Sequence, residues 1–210
     1  MLASLNSFLK YKGWHDLCVK QFKIQQNTYR SESLELTKEE YMKLVITAYE
    51  IGNERLALLL QTICGTGIRI SELRYITVEA VQHGEAIVTN KGKTRKVFIV
   101  TALRKKLLQY AQLQQISTGE IFVTKLGKTI DRSNVWREMK SLCEQTGVLP
   151  SKVFPHNLRH VFAREFYSIE KDVAKLADIL GHSSINTTRL YIMETGTEHR
   201  RKMERMELIL

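Results

Sequence analysis

His156-Asn157-Leu158-Arg159-His160 begins a helical pattern in the last third of this chain, and Leu180-Gly181-His182 and then Tyr191 follow it. Within a helix, residues three apart share a face, so His156 and Arg159 can reach one small group together. Tyr191 stands nine residues after His182 and 32 after Arg159. Apolar spacing and capping residues predict helices over 156–169, 172–180, 184–191 and 197–208. The C-terminal half is therefore expected to be mostly helical, with its chemically capable side chains on short elements.

Upstream the pattern changes. Residues 2–11 place Leu2, Leu5, Phe8 and Leu9 at helical spacing, and a polar stretch from Lys20 to Glu35 follows. Thr37-Lys38-Glu39-Glu40 fits a capping box, with Thr37 as the cap and Glu40 reaching back to it. Tyr41, Leu44, Val45, Ala48 and Tyr49 continue that helix on one face, and a second, largely buried helix is expected at about 54–64. Residues 77–81, 86–90 and 96–100 read as short strands, the last two joined by Lys91-Gly92-Lys93. Thr101 is placed to cap a helix through Leu113, and residues 121–123 form a short strand or extended piece. Asp131 caps a further helix through Gln145, which Gly147 stops. The predicted class is α+β, a mostly helical domain with a small antiparallel β-sheet inserted early.

A chain of 210 residues holds one sizeable domain, or one domain plus a fragment of another. An apolar fraction of 43% with only two prolines supports a packed core over long disordered tracts. The net charge of +10 points to a polyanionic partner, although charge alone does not separate nucleic acid from acidic membrane. Cys18, Cys64 and Cys143 are odd in number, widely spaced and without a CxxC pair. Such usage suits reduced thiols and excludes a disulfide framework or zinc ribbon. The longest apolar run, 56–60, falls far short of the roughly 20 residues that cross a bilayer. The first residues also lack the basic and then apolar signature of a secretory signal. A cytoplasmic protein with no membrane partner is expected.

Two further segments carry chemistry. Gly65-Thr66-Gly67-Ile68-Arg69-Ile70-Ser71-Glu72-Leu73 sets Arg69 in a glycine-punctuated turn, with Glu72 three residues on to pair with it. The remaining glycines and the Lys-Ser/Thr pair of a nucleotide loop are missing, so that reading is rejected. Asn90-Lys91-Gly92-Lys93-Thr94-Arg95 offers lysines in a hairpin. His156 and His160 have zinc-ligand spacing, but no Glu follows His156, no third ligand is evident, and Arg159 would repel a cation. Two arginines, a lysine, two histidines and a tyrosine suit attack on a phosphodiester without metal. A phenol can form a phosphotyrosine and leave again, and a guanidinium fork matches phosphate bidentately.

In this order and spacing the set resembles the catalytic constellation of the tyrosine recombinases, the phage-integrase family, over about residues 36–192. The resemblance implies that Tyr191 attacks the scissile phosphate, leaving a 3′-phosphotyrosyl link and a free 5′-hydroxyl. Arg69 and Arg159 would then hold the non-bridging oxygens, with Glu72 steadying Arg69. His156 would serve as base or proton shuttle, and His182 would hydrogen-bond a phosphate oxygen in the transition state. Lys91 would protonate the leaving oxygen, with Lys93 as the alternative, and His160 would pack or hydrogen-bond in support. Lys93, Arg95, Lys96, Lys125, Lys128 and Arg132 are expected to bind DNA.

The implied partner is double-stranded DNA, as recombination sites and a Holliday junction, bound by a homotetramer that is monomeric when free. No cofactor, metal or ATP is implied, and the need for an accessory directionality factor stays open. The expected activity is site-specific recombination that integrates or excises a mobile element of bacteria or phage. The alternatives are a catalytically silent DNA-binding regulator and a relaxing enzyme like the type IB topoisomerases. Residues 1–35 read as a remnant helix of an N-terminal core-binding domain plus linker, 36–196 as the catalytic domain, and 197–210 as a C-terminal helix that either docks on a neighbouring protomer or caps its own domain in cis.

Overall fold

The computed structural model describes residues 2–20, 34–90, 92–124, 127–193 and 196–206. Helix α1 (Leu2–Tyr11) leads into a single 3-10 turn at His15–Leu17. Asn6 ties the return, donating to the Val19 carbonyl at 2.8 Å and accepting from the Val19 amide at 3.0 Å. Leu2, Leu5 and Phe8 are exposed along α1.

Helix α2 (Lys38–Glu50) starts on the expected capping box, with the Glu40 amide donating to Thr37 Oγ1 and the Thr37 amide to Glu40 Oε2. Helix α3 (Glu54–Thr66) is the central rod: Leu56, Ala57, Leu58, Leu59, Leu60 and Ile63 are all buried. Gly67 ends it with φ +66°, in the left-handed region where a Cβ is penalised. The chain then makes a 3-10 turn, Ile70–Tyr75, which begins at Arg69.

The expected strand at 77–81 is a helix instead. Thr77 Oγ1 accepts from the Ala80 amide and caps α4 (Val78–His83), which Gly84 stops at φ +82°. The alternation of Thr and Glu with Val and Ala imitated a strand, and the cap and the glycine decide otherwise. The sheet therefore has two strands, β1 (Glu85–Asn90) and β2 (Lys93–Phe98), paired antiparallel with Ala86 opposite Val97 and Asn90 opposite Lys93. Its inner face, Ala86, Val88 and Val97, joins the core.

Helix α5 (Thr101–Leu113) has Val100 rather than Thr101 at its cap and no side-chain cap bond. Residues 121–123 form no strand: the chain bends at Ile121 and Phe122, between isolated bridges from Thr77 to Glu120 and from Val123 to Thr129. The helix begun by Asp131 breaks at Leu142 into α6 (Arg132–Ser141) and α7 (Cys143–Thr146), with Gly147 as the left-handed stop.

Helix α8 (Pro155–Glu170) packs against α3 and divides two cores. Leu158 and Val161 belong to the large one. Ala163 belongs to a smaller one, formed with Leu176 and Leu180 of α9 (Val173–Leu180) and Tyr191 of α10 (Ile185–Tyr191). Helix α11 (Gly196–Glu204) follows. This is the predicted α+β class, mostly helical with a small antiparallel sheet. Among the described residues, no helix is long and apolar enough to cross a membrane.

Candidate active site

Four separate elements converge on the junction between the two cores. The turn after α3 supplies Arg69 and Glu72, the hairpin supplies Arg95, α8 supplies His156, Arg159 and His160, and the α9–α10 corner supplies His182 and Tyr191.

Glu72 is the hub of the first half. Its carboxylate is 2% exposed, yet it accepts from the Arg69 amide at 2.8 Å, Arg69 Nη1 at 3.0 Å, Arg95 Nη1 at 3.1 Å and Arg95 Nη2 at 2.7 Å. Burial by itself would raise the carboxyl pKa. The fork from Arg95, the Arg69 amide and the two positive charges outweigh it and hold the group at about 2. Arg69 keeps about a third of its side chain exposed, so its guanidinium is steadied without being hidden. Arg95, expected on the DNA, turns inward instead. Besides Glu72 it donates through Nε to the Ile179 carbonyl at 3.1 Å, and so bridges the hairpin to α9.

Arg159 is the hub of the second half and is only 1% exposed. Its terminal nitrogens donate to the carbonyls of Gly67 and Leu180, and Nη2 also lies 3.1 Å from His182 Nε2. Burial, and then the charge of Arg69, pushes the guanidinium down to about 10, so it remains charged at neutral pH. Among the described residues its buried Nε has no hydrogen-bond partner. His182 Nδ1 also lies within hydrogen-bond distance of the Thr188 hydroxyl, at 2.9 Å. Burial, reinforced by Arg159 and Arg69, pushes its pKa down to about 4.

Tyr191 sits inside this group at 6% exposure. Its ring stacks on His160, 4.1 Å between centroids, and meets His156 at 5.1 Å and His182 at 4.6 Å edge to face. Arg159 lies 5.9 Å from the ring centroid. The structure thus brings together Arg69, Glu72, His156, Arg159, His160, His182 and Tyr191. Lys91 and Lys125 lie outside the described residues. Lys93 is exposed at the start of β2, Lys96 pairs across the hairpin with Glu85 at 2.9 Å, and Lys128 and Arg132 are exposed near the start of α6. Among the described residues, no group of three or more His, Cys, Asp or Glu side chains is arranged to hold a metal.

Two participants were not singled out from sequence. Thr188 is fully buried one helical turn before Tyr191, a position where a polar residue on an apolar face is the only warning. The inward role of Arg95 had no local signal, because its partner Glu72 lies 23 residues away.

Residues 35–198 match the phage integrase family. The chain belongs to that family, the tyrosine recombinases. A family member from Pyrococcus furiosus, tyrosine recombinase XerA, is 28% identical over 220 residues, covering all of this chain and 73% of its own length. Tyrosine recombinase XerD of Brucella suis biovar 1 is 33% identical over 146 residues, 65% of this chain and 47% of its own. In fold, the chain resembles the crystal structure of XerA recombinase, with a TM-score of 0.71 and 23% identity over all of this chain and 75% of the other. It also resembles the Tn1549 transposon integrase in complex with circular intermediate DNA, with a TM-score of 0.69 and 18% identity over 97% of this chain and 77% of the other. At these identities the structural likeness establishes the fold.

Proposed function

We propose that this phage-integrase-family chain cleaves and rejoins double-stranded DNA through a 3′-phosphotyrosine on Tyr191, without metal or ATP, in site-specific recombination. The observation that carries the reading is the gathering of Arg159, His182, His156 and His160 around one tyrosine, with Arg69 aimed from Glu72 beside them.

A pentavalent phosphorane carries added negative charge on its non-bridging oxygens. Arg69 and Arg159 meet that charge with forks already fixed by Glu72 and by two backbone carbonyls, so little reorganisation is required of them. The orphaned Nε of Arg159 supports this role, because a buried donor without an acceptor is costly and an incoming phosphate oxygen would satisfy it. His156, exposed at the start of α8 and edge-on to Tyr191, is suited to take the phenolic proton. Lys91, which lies between β1 and β2 in sequence, would return a proton to the leaving 5′-oxygen, with Lys93 as the substitute. Lys93, Lys96, Lys125, Lys128 and Arg132 would neutralise backbone phosphates, whereas Arg95 would act by holding Glu72.

Tyr191 is buried against His160 here, so attack requires a movement of α10 that brings the hydroxyl to the phosphate. On DNA, four protomers would exchange two sites through a Holliday junction, with residues 197–210 docking on a neighbour. The wider task would be integration or excision of a mobile element. The test is incubation with nicked duplexes of randomised sequence, resolved on a denaturing gel. Wild type is expected to leave a chelator-insensitive protein–DNA band that Tyr191→Phe abolishes. Supercoil relaxation by a monomer without strand exchange would assign a topoisomerase instead.

A further inference from the structure

We propose that Thr188 is a positioning residue whose hydroxyl lets His182 change from accepting a hydrogen bond from Arg159 to donating one to a phosphate oxygen. The proposal deepens the phosphoryl-transfer reading above and rests on it.

The argument begins with what each group is able to donate. A guanidinium has donors and no acceptor. Arg159 Nη2 lies 3.1 Å from His182 Nε2, so that nitrogen presents its lone pair to the arginine. His182, with its pKa at about 4, is neutral at pH 7 and carries one ring proton. That proton therefore sits on Nδ1 and is donated to Thr188 Oγ1 at 2.9 Å. In this form His182 has nothing to offer a phosphate oxygen from Nε2. To stabilise the transition state, the ring must carry its proton on Nε2 and accept on Nδ1.

The partner on Nδ1 decides whether that change is allowed. A carboxylate or a backbone carbonyl only accepts, and would lock the proton on Nδ1. A hydroxyl both accepts and donates, so rotation about one bond turns Thr188 from acceptor to donor with no heavy atom moving. The balance is simple: one proton leaves Nδ1 for water, one arrives at Nε2 from water, and the ring is neutral before and after. Once phosphate takes the Arg159 donors, the lone pair on Nε2 is no longer required, and the Nε2–H form gains an anionic acceptor.

Thr188 is also well placed to time the change. It lies on α10 three residues before Tyr191 and is completely buried, so the tie from His182 runs into the helix that carries the nucleophile. A valine has nearly the same shape and no hydroxyl, which makes the substitution a clean one.

The experiment is nitrogen-15 NMR of the histidine rings in the full chain at pH 7, alone and with inorganic phosphate as probe, for wild type, Thr188→Ser, Thr188→Val and Thr188→Ala. Wild type is expected to show His182 as Nδ1–H when free and to move toward Nε2–H as phosphate is added, and the serine variant should do the same. The valine and alanine variants should keep the free-state Nδ1–H form, which Arg159 fixes, and lose the response to phosphate, because the Nε2–H form would leave the Nδ1 lone pair without its Thr188 donor. Their covalent capture of nicked duplex should fall about 10- to 100-fold, with the serine variant within a few-fold of wild type. Two variants guard against one failing to fold. An Nε2–H ring in the free protein, an imidazolium on adding phosphate, or a valine variant that responds like wild type would overturn the proposal. Absence of any Tyr191 adduct in wild type would defeat the functional reading while leaving the ring signals to judge the tautomer on their own.

Discussion

Tyr191 lies face to face on His160, with ring centroids 4.1 Å apart and planes 6° from parallel. The stack belongs to the small core of α8, α9 and α10, so it ties the proposed nucleophile to the helix that bears Arg159. His160→Ala removes the platform and opens a space beneath the tyrosine. A loss of about 1–3 kcal/mol in urea unfolding is expected. His160→Phe keeps an aromatic face and should recover part of that loss. Equal stability of the alanine variant and wild type would show that the stack does not hold α10.

Arg95 is the next test, because its fork neutralises a carboxylate that is almost wholly buried. Arg95→Met leaves Glu72 with half its partners and should destabilise the chain by about 3–5 kcal/mol. Single-turnover cleavage should fall as well, since Arg69 is aimed through Glu72. If Arg95 instead only gripped DNA, stability would be unchanged and the loss would disappear at low salt.

The pH dependence of stability has two separable legs. Glu72 titrates near 2 in the folded chain against an ordinary 4.5, so its contribution is complete above pH 4.5 and is lost as the pH falls toward 2. His182 titrates near 4 against an ordinary 6.5, so between these values the unfolded chain binds more protons and stability rises with pH. Above 6.5 that contribution is complete. Urea melts over this range should therefore climb from pH 4 to 6.5 and flatten on that leg in His182→Gln. Glu72→Gln should flatten only the leg below 4.5.

Gly67 and Gly147 share a left-handed backbone, with φ +66° and +68°, but differ in what surrounds them. A Cβ on Gly147 meets nothing within 4 Å, whereas on Gly67 it would lie 2.5 Å from Phe162 Cδ1. Gly147→Ala should cost about 1 kcal/mol from backbone strain. Gly67→Ala adds a packing clash of about 1–3 kcal/mol. It should also weaken cleavage, because the Gly67 carbonyl holds Arg159. Thermal melts of the two variants side by side would check the difference.

Much of this was legible from local signals. Thr37 with Glu40, Asn53, Asp131, Asp172 and Ser184 each cap a helix through a side chain that can be read within four residues. The same locality misled at 77–81, where polar and apolar residues alternated over Thr77–Ala80 while Thr77 capped a helix of only six residues. The Arg69–Glu72 pair was readable because both residues lie in one turn. Arg95 on Glu72 and Arg159 on Gly67 and Leu180 depend on how distant elements pack, and Thr188 on His182 on how the α9–α10 corner turns, which no spacing rule encodes.

The central claim is that Tyr191 becomes joined to DNA. The most direct measurement is mass spectrometry of peptides from the chain after reaction with a nicked duplex carrying a bridging phosphorothiolate, which traps the cleaved state. The account predicts a single modified peptide, spanning Tyr191 and bearing a 3′-linked nucleotide on that phenol. A nucleotide on another residue, or cleaved DNA with every tyrosine unmodified, would contradict it.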